Sequence, residues 1–164
     1  MVTLDLGLEN KIIRVLQKKK KTISIAESCT GGILSERLTS VPGASKVFGW
    51  GIVSYSAQAK QKLLNVSRTM IKNYGEVSKE VATAMAFGVK KVSKSDYAIG
   101  ITGIAGPTGG TKEKPVGLVY LSLISPKEQH IKKCLFRGNR QTIRKKSATV
   151  ALQWLYDELK RQGG

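Results

Sequence analysis

The sequence predicts an α/β domain in which one mixed β-sheet carries helices on both faces. Two patterns predict it: helix and strand signals alternate through the first half, and a strand–turn–strand hairpin fills the second. Size is the third observation, since 164 residues make one domain with room for a substantial core.

The elements follow in order. Leu4, Leu8, Ile12, Val15 and Leu16 recur at helical spacing and predict an amphipathic helix over about 4–20. Thr22 to Glu27 alternates Ile23 and Ile25 with polar or small residues, a strand pattern. It breaks at Ser28-Cys29-Thr30-Gly31-Gly32, and Ile33, Leu34, Arg37 and Leu38 resume a helix that Pro42-Gly43 ends. Phe48 to Tyr55, aromatic and β-branched, reads as a strand, followed by short helices at Ala57 to Leu64 and near Arg68 to Asn73. Val77, Val81, Met85, Val89 and Val92 mark a longer helix with Ser78 as N-cap. Tyr97 to Thr102 is a buried strand leading into a glycine-rich loop, Gly103 to Pro115. Val116 to Ser125 and Glu128 to Phe136 form the hairpin about Pro126-Lys127. A last helix runs from about Gln141 to Arg161, with Ile143, Val150, Trp154 and Leu155 facing inward.

Hydrophobic residues make up 41% and charged residues 24%, a globular balance that argues against disorder. No apolar run is long enough to cross a bilayer, so no membrane association is expected. Met1 to Asn10 lacks a basic start followed by an apolar block, which points to a cytoplasmic chain without a secretory signal. Two cysteines, Cys29 and Cys134, and one histidine, His130, are too few for a disulfide framework or a structural zinc site. Free thiols and no cofactor are expected. Lysine and arginine outnumber acids 28 to 11, a formal charge of +17. That excess favours an anionic partner, whether nucleic acid, membrane surface or phosphorylated metabolite. The densest run, Lys18 to Lys21, reads as a solvated helix end.

Three segments can carry chemistry. Glu27-Ser28-Cys29-Thr30-Gly31-Gly32 places a hydroxyl on a tight turn between strand and helix, where backbone N–H groups can stabilise an oxyanion or hold an anion. Taken alone, a plain helix N-cap is the favoured reading of that turn. The loop Thr102 to Thr111 fits neither the nucleotide-triphosphate nor the dinucleotide fingerprint, yet is long for a connector; flexible loop and ligand loop stand about even. Arg137-Gly138-Asn139-Arg140 before the last helix offers a phosphate clamp, a weak signal in so basic a chain. His130 sits mid-strand in the hairpin, where a surface role is simpler than a catalytic one. A serine nucleophile would then take lysine as base, kept neutral by burial or neighbouring positive charge. Lys60, five residues after Tyr55, suits that role without composition singling it out. Cys29 is the rival nucleophile, because a thiol at a helix start is activated.

The blocks Ala26-Glu27-Ser28-Cys29-Thr30-Gly31-Gly32, Gly51-Ile52-Val53-Ser54-Tyr55-Ser56 with Ala59-Lys60, Gly75-Glu76-Val77-Ser78, Thr102-Gly103-Ile104-Ala105-Gly106-Pro107 with Gly109-Gly110, and Lys114-Pro115-Val116-Gly117 resemble, in order, the CinA C-terminal domain family. The resemblance implies a three-layer α/β/α sandwich and metal-free hydrolysis of nicotinamide mononucleotide to nicotinate mononucleotide and ammonia. It implies Ser28 as nucleophile, Lys60 as its base and Tyr55 beside them. It also implies amides of Thr30, Gly31 and Gly32 facing the oxyanion or phosphate, Thr102 and Gly103 lining the pocket, and Arg137 or Arg140 on the phosphate. Many relatives carry an N-terminal molybdopterin-binding-like domain linked to ADP-ribose hydrolysis; the chain is too short to include it, and that activity is not expected. The partner implied is a phosphorylated pyridine nucleotide, and the small size suggests a homo-oligomer, dimer or larger. The alternatives are a nucleic-acid-associated module, suggested by the charge and the family's link with competence and DNA damage, and a member that has kept the fold and lost activity.

Overall fold

A computed structural model of the chain describes residues 7–162. The elements run α1 (Leu8–Lys19), β1 (Ile23–Glu27), α2 (Ile33–Thr39), β2 (Phe48–Val53), α3 (Ala57–Leu64), α4 (Arg68–Tyr74), α5 (Lys79–Ser93), β3 (Tyr97–Gly103), β4 (Leu118–Ile124), β5 (Gln129–Leu135) and α6 (Arg140–Arg161). A single 3₁₀ turn, Ala44–Lys46, precedes β2 and has no periodic signature in sequence. Leu4, placed on the first helix by its spacing, lies outside the described residues.

The five strands form one sheet in the order β2-β1-β3-β4-β5. β2, β1 and β3 are parallel, and the β4–β5 hairpin joins antiparallel to β3. Helices α1, α2 and α6 cover one face; α3, α4 and α5 cover the other. The result is the three-layer α/β/α sandwich with a mixed sheet. No described helix is long and apolar enough to cross a membrane.

β1 alternates large and small residues, but it is not half exposed, because all five of its residues are buried. It lies inside the sheet with helices on both sides, so the alternation sorts side chains by size and not by polarity. Ile23 and Ile25 join Tyr97, Ile99 and Ile101 of β3 in the larger core under α1, α2 and α6. Ala26 and Ala98 face α5 with Leu64, Val81, Met85 and Val89. Small residues let α5 ride close to the strands. A Cβ added at Gly100 would stand 2.2 Å from the Ala82 carbonyl, and one at Gly88 would stand 2.2 Å from that of Leu64.

The chain leaves β1 for α2 on one face and β2 for α3 on the other, so the adjacent connections diverge. In an open α/β sheet this divergence opens a crevice at the carboxyl ends of the strands. The ends of β1, β2 and β3 all point into it.

Candidate active site

Ser28 follows the last residue of β1, with its amide donating to the Ile101 carbonyl at 3.0 Å. Tyr55 follows β2, and Lys60 lies on the first full turn of α3, which Ser56 caps through the Ala59 amide. Lys60 is 1% exposed. Its Nζ donates to Ser28 Oγ at 3.2 Å, to the Tyr55 carbonyl at 3.3 Å and to Glu76 Oε2 at 3.1 Å. The cleft around them encloses about 250 Å³ and is walled by Thr102 and the loop from Gly103 to Gly109, with Arg140 at one side.

The structure brings Ser28, Lys60, Tyr55, Thr102, Gly103 and Arg140 together on this one cleft, although they come from four separate stretches. Thr30, Gly31, Gly32 and Arg137 do not line it. The expectation that the helix-start amides face a ligand is corrected by Glu27. That carboxylate is fully buried and accepts from the amides of Gly32 (3.0 Å), Leu34 (3.2 Å) and Ser35 (2.9 Å) and from the Ser35 hydroxyl (2.7 Å). The positive end of α2 is thereby satisfied from within. The Gly31 amide closes the turn on the Ser28 carbonyl at 3.0 Å, and Gly31 takes a left-handed φ of 60°. Thr30 is buried with its hydroxyl unpaired. Arg137 is exposed, before Asn139 caps α6. Arg140 reaches inward, donating to the Gly106 carbonyl at 2.8 Å and to the Tyr55 hydroxyl at 2.7 Å.

Cys29 behaves opposite to a helix-start thiol. Burial, the largest influence, pushes its pKa up to about 12. Its helix end is already neutralised by Glu27, so the usual activation is absent. His130 sits on β5, 2.9 Å from Glu128, and is not among the residues lining the cleft. Glu128, His130 and Glu158 cluster within 4.8 Å, but the Arg161 guanidinium already bonds both carboxylates.

Sequence reasoning missed two residues. Glu76 is the only carboxylate lining the cleft among the described residues, and the available signal was an acid just before the Ser78 N-cap in a strongly basic chain. Arg144 donates to the carbonyls of Cys29 (3.1 Å) and Thr30 (2.9 Å), which ties α6 to the turn that presents Ser28. It lies one helical turn beyond Arg140, a spacing that would have paired the two on one face.

The model of the CinA C-terminal domain matches residues 5–159. The chain belongs to the CinA C-terminal domain family. Among CinA relatives, a CinA-like protein from Thermotoga neapolitana is 43% identical over 159 residues, covering 97% of this chain and 39% of the relative. Another, from Endomicrobium trichonymphae, is 49% identical over 146 residues, covering 89% and 34%. The chain thus spans little more than a third of the length of these curated relatives. Solved structures of the CinA superfamily agree in fold over almost their whole length. A Klebsiella pneumoniae protein of that superfamily gives a TM-score of 0.90 at 27% identity, covering 94% of this chain and 96% of its own. A competence/damage inducible protein from Agrobacterium tumefaciens gives 0.86 at 33% identity, covering 97% and 99%.

Proposed function

We propose that the chain is an amidohydrolase that removes ammonia from the carboxamide of nicotinamide mononucleotide. The observation that carries this reading is the 3.2 Å contact between Ser28 Oγ and a buried Lys60 Nζ. A hydroxyl beside an amine has a base within reach, provided the amine gives up its proton. Ser28 attacks the carboxamide carbon while Lys60 takes the hydroxyl proton. Lys60 then returns it to the departing nitrogen, ammonia leaves, and water hydrolyses the acyl-enzyme. Arg140 and the Gly103 to Gly109 loop suit the phosphate end of the substrate, since the guanidinium keeps donors beyond the two it spends on Gly106 and Tyr55.

The test is ammonia release from nicotinamide mononucleotide, with nicotinamide and its riboside as phosphate-free controls. Ser28→Ala should abolish turnover with an unchanged circular dichroism spectrum. Turnover persisting in that variant removes Ser28 from the reaction. The charge of +17 supports a second reading, a nucleic-acid-associated module. Salt-sensitive DNA binding without any ammonia release would favour it.

A further inference from the structure

We propose that Glu76 is a specificity-determining residue of this cleft: its carboxylate receives a cationic ring and, in doing so, releases its hold on Lys60. The proposal rests on the amidohydrolase reading of the same site.

Lys60 has three acceptors, Ser28 Oγ, the Tyr55 carbonyl and Glu76 Oε2, and an ammonium has three N–H bonds to give. Glu76 is therefore one of the three groups that hold the amine beside Ser28, and the only charged one of the three.

Glu76 is placed to be drawn away. Its side chain is 45% exposed, against 1% for Lys60, so the carboxylate forms the solvent side of the pair. Its backbone is fixed. Thr102 Oγ1 donates to the Glu76 carbonyl at 2.9 Å, and Lys114 Nζ holds the carbonyls of Tyr74 (2.5 Å) and Val77 (2.8 Å) on either side. With the Gly75 carbonyl accepting from Ser78 Oγ at 3.0 Å, all four carbonyls from Tyr74 to Val77 are held, which makes this connector a mount for the side chain.

A pyridinium ring brings a fixed positive charge into the cleft, where Glu76 is the only acid among the described residues. The exposed carboxylate turns from Lys60 Nζ toward the charge of the ring, which loosens the pair and leaves Lys60 its contacts with Ser28 and the Tyr55 carbonyl. A ring of the same shape without charge does not trigger the exchange.

The experiment is calorimetric titration of the Ser28→Ala chain with nicotinamide mononucleotide and with its ring-reduced, uncharged form. It is run at neutral pH and repeated with Glu76→Gln added. The cationic form should bind about fivefold tighter than the neutral one. Glu76→Gln should erase that difference while changing the neutral form's affinity less than about twofold. Equal weakening of both forms by Glu76→Gln, or a preference that survives it, overturns the proposal. Absence of ammonia release by the wild-type chain sinks the reaction reading instead, and the titration decides the role of Glu76 separately.

Discussion

Ser28 owes its position to the residue before it. Glu27 ends β1 inside the protein and spends its carboxylate on four donors of α2, so the turn that carries Ser28 is pinned from below while Arg144 pins it from above. Glu27→Ala should cost about 3 kcal/mol of unfolding free energy in urea titrations, since it strands buried amides as well as removing charged hydrogen bonds. Lys60→Met keeps the length and apolar stem of the side chain and removes the amine. Turnover should fall by at least about 10²-fold with little change in melting temperature. Cys29, its thiol pushed up to about 12, stays protonated through the neutral range. Iodoacetamide should leave it unmodified in the folded chain and leave activity intact; rapid alkylation with inactivation would reopen the thiol as nucleophile. Sequence alone could not choose between these neighbours. Both stand on the same turn and are about equally buried, and it is the reach of a lysine 32 residues away that separates them.

The helices and strands were readable because their periodicities are local, and the boundaries of α3 agree to the residue with those expected. What the pattern could not show is which face a small residue serves. Ser24, Ala26, Ala98 and Gly100 look like weak strand formers, yet they set how near α5 lies to the sheet. Gly100→Ala should lower stability by about 1–3 kcal/mol through overpacking against a backbone that cannot yield. Asn139 caps α6 by accepting from the Thr142 amide at 2.9 Å, and the residue after it is Arg140. Loss of the cap in Asn139→Ala should cost about 1 kcal/mol. It should also raise KM more than it lowers kcat if Arg140 holds the substrate's phosphate. A normal KM would assign Arg140 to structure.

Across the whole molecule, the order of strands was the least legible feature, because hydrogen bonds between β1 and β3 join residues some 74 apart and leave no local trace. Their common entrance is closed by Asp96, which accepts from Lys21 Nζ (2.8 Å), the Thr22 amide (2.9 Å) and the Thr22 hydroxyl (3.1 Å). Burial pushes this carboxyl up, but the Lys21 and Thr22 donors outweigh it and hold the pKa below the ordinary value. A depressed carboxyl contributes stability above the ordinary carboxylate range and loses it as pH falls through the folded value. Asp96→Asn should therefore reduce stability at neutral pH and flatten its decline in acid, as thermal melts at both pH values would show. An unchanged difference between them would remove Asp96 from the acid response. The same non-locality explains why the cleft was only partly foreseen: its members were visible singly, and their meeting depends on strand order.

β2 is paired on one side only, through β1, and it delivers Tyr55 and the helix bearing Lys60. An outermost strand is the first part of a sheet to open under heat or denaturant. Catalysis should therefore fade before bulk helix content does, making ammonia release an early gauge of fraying at that border. Coincident loss of both would mean the border melts with the centre.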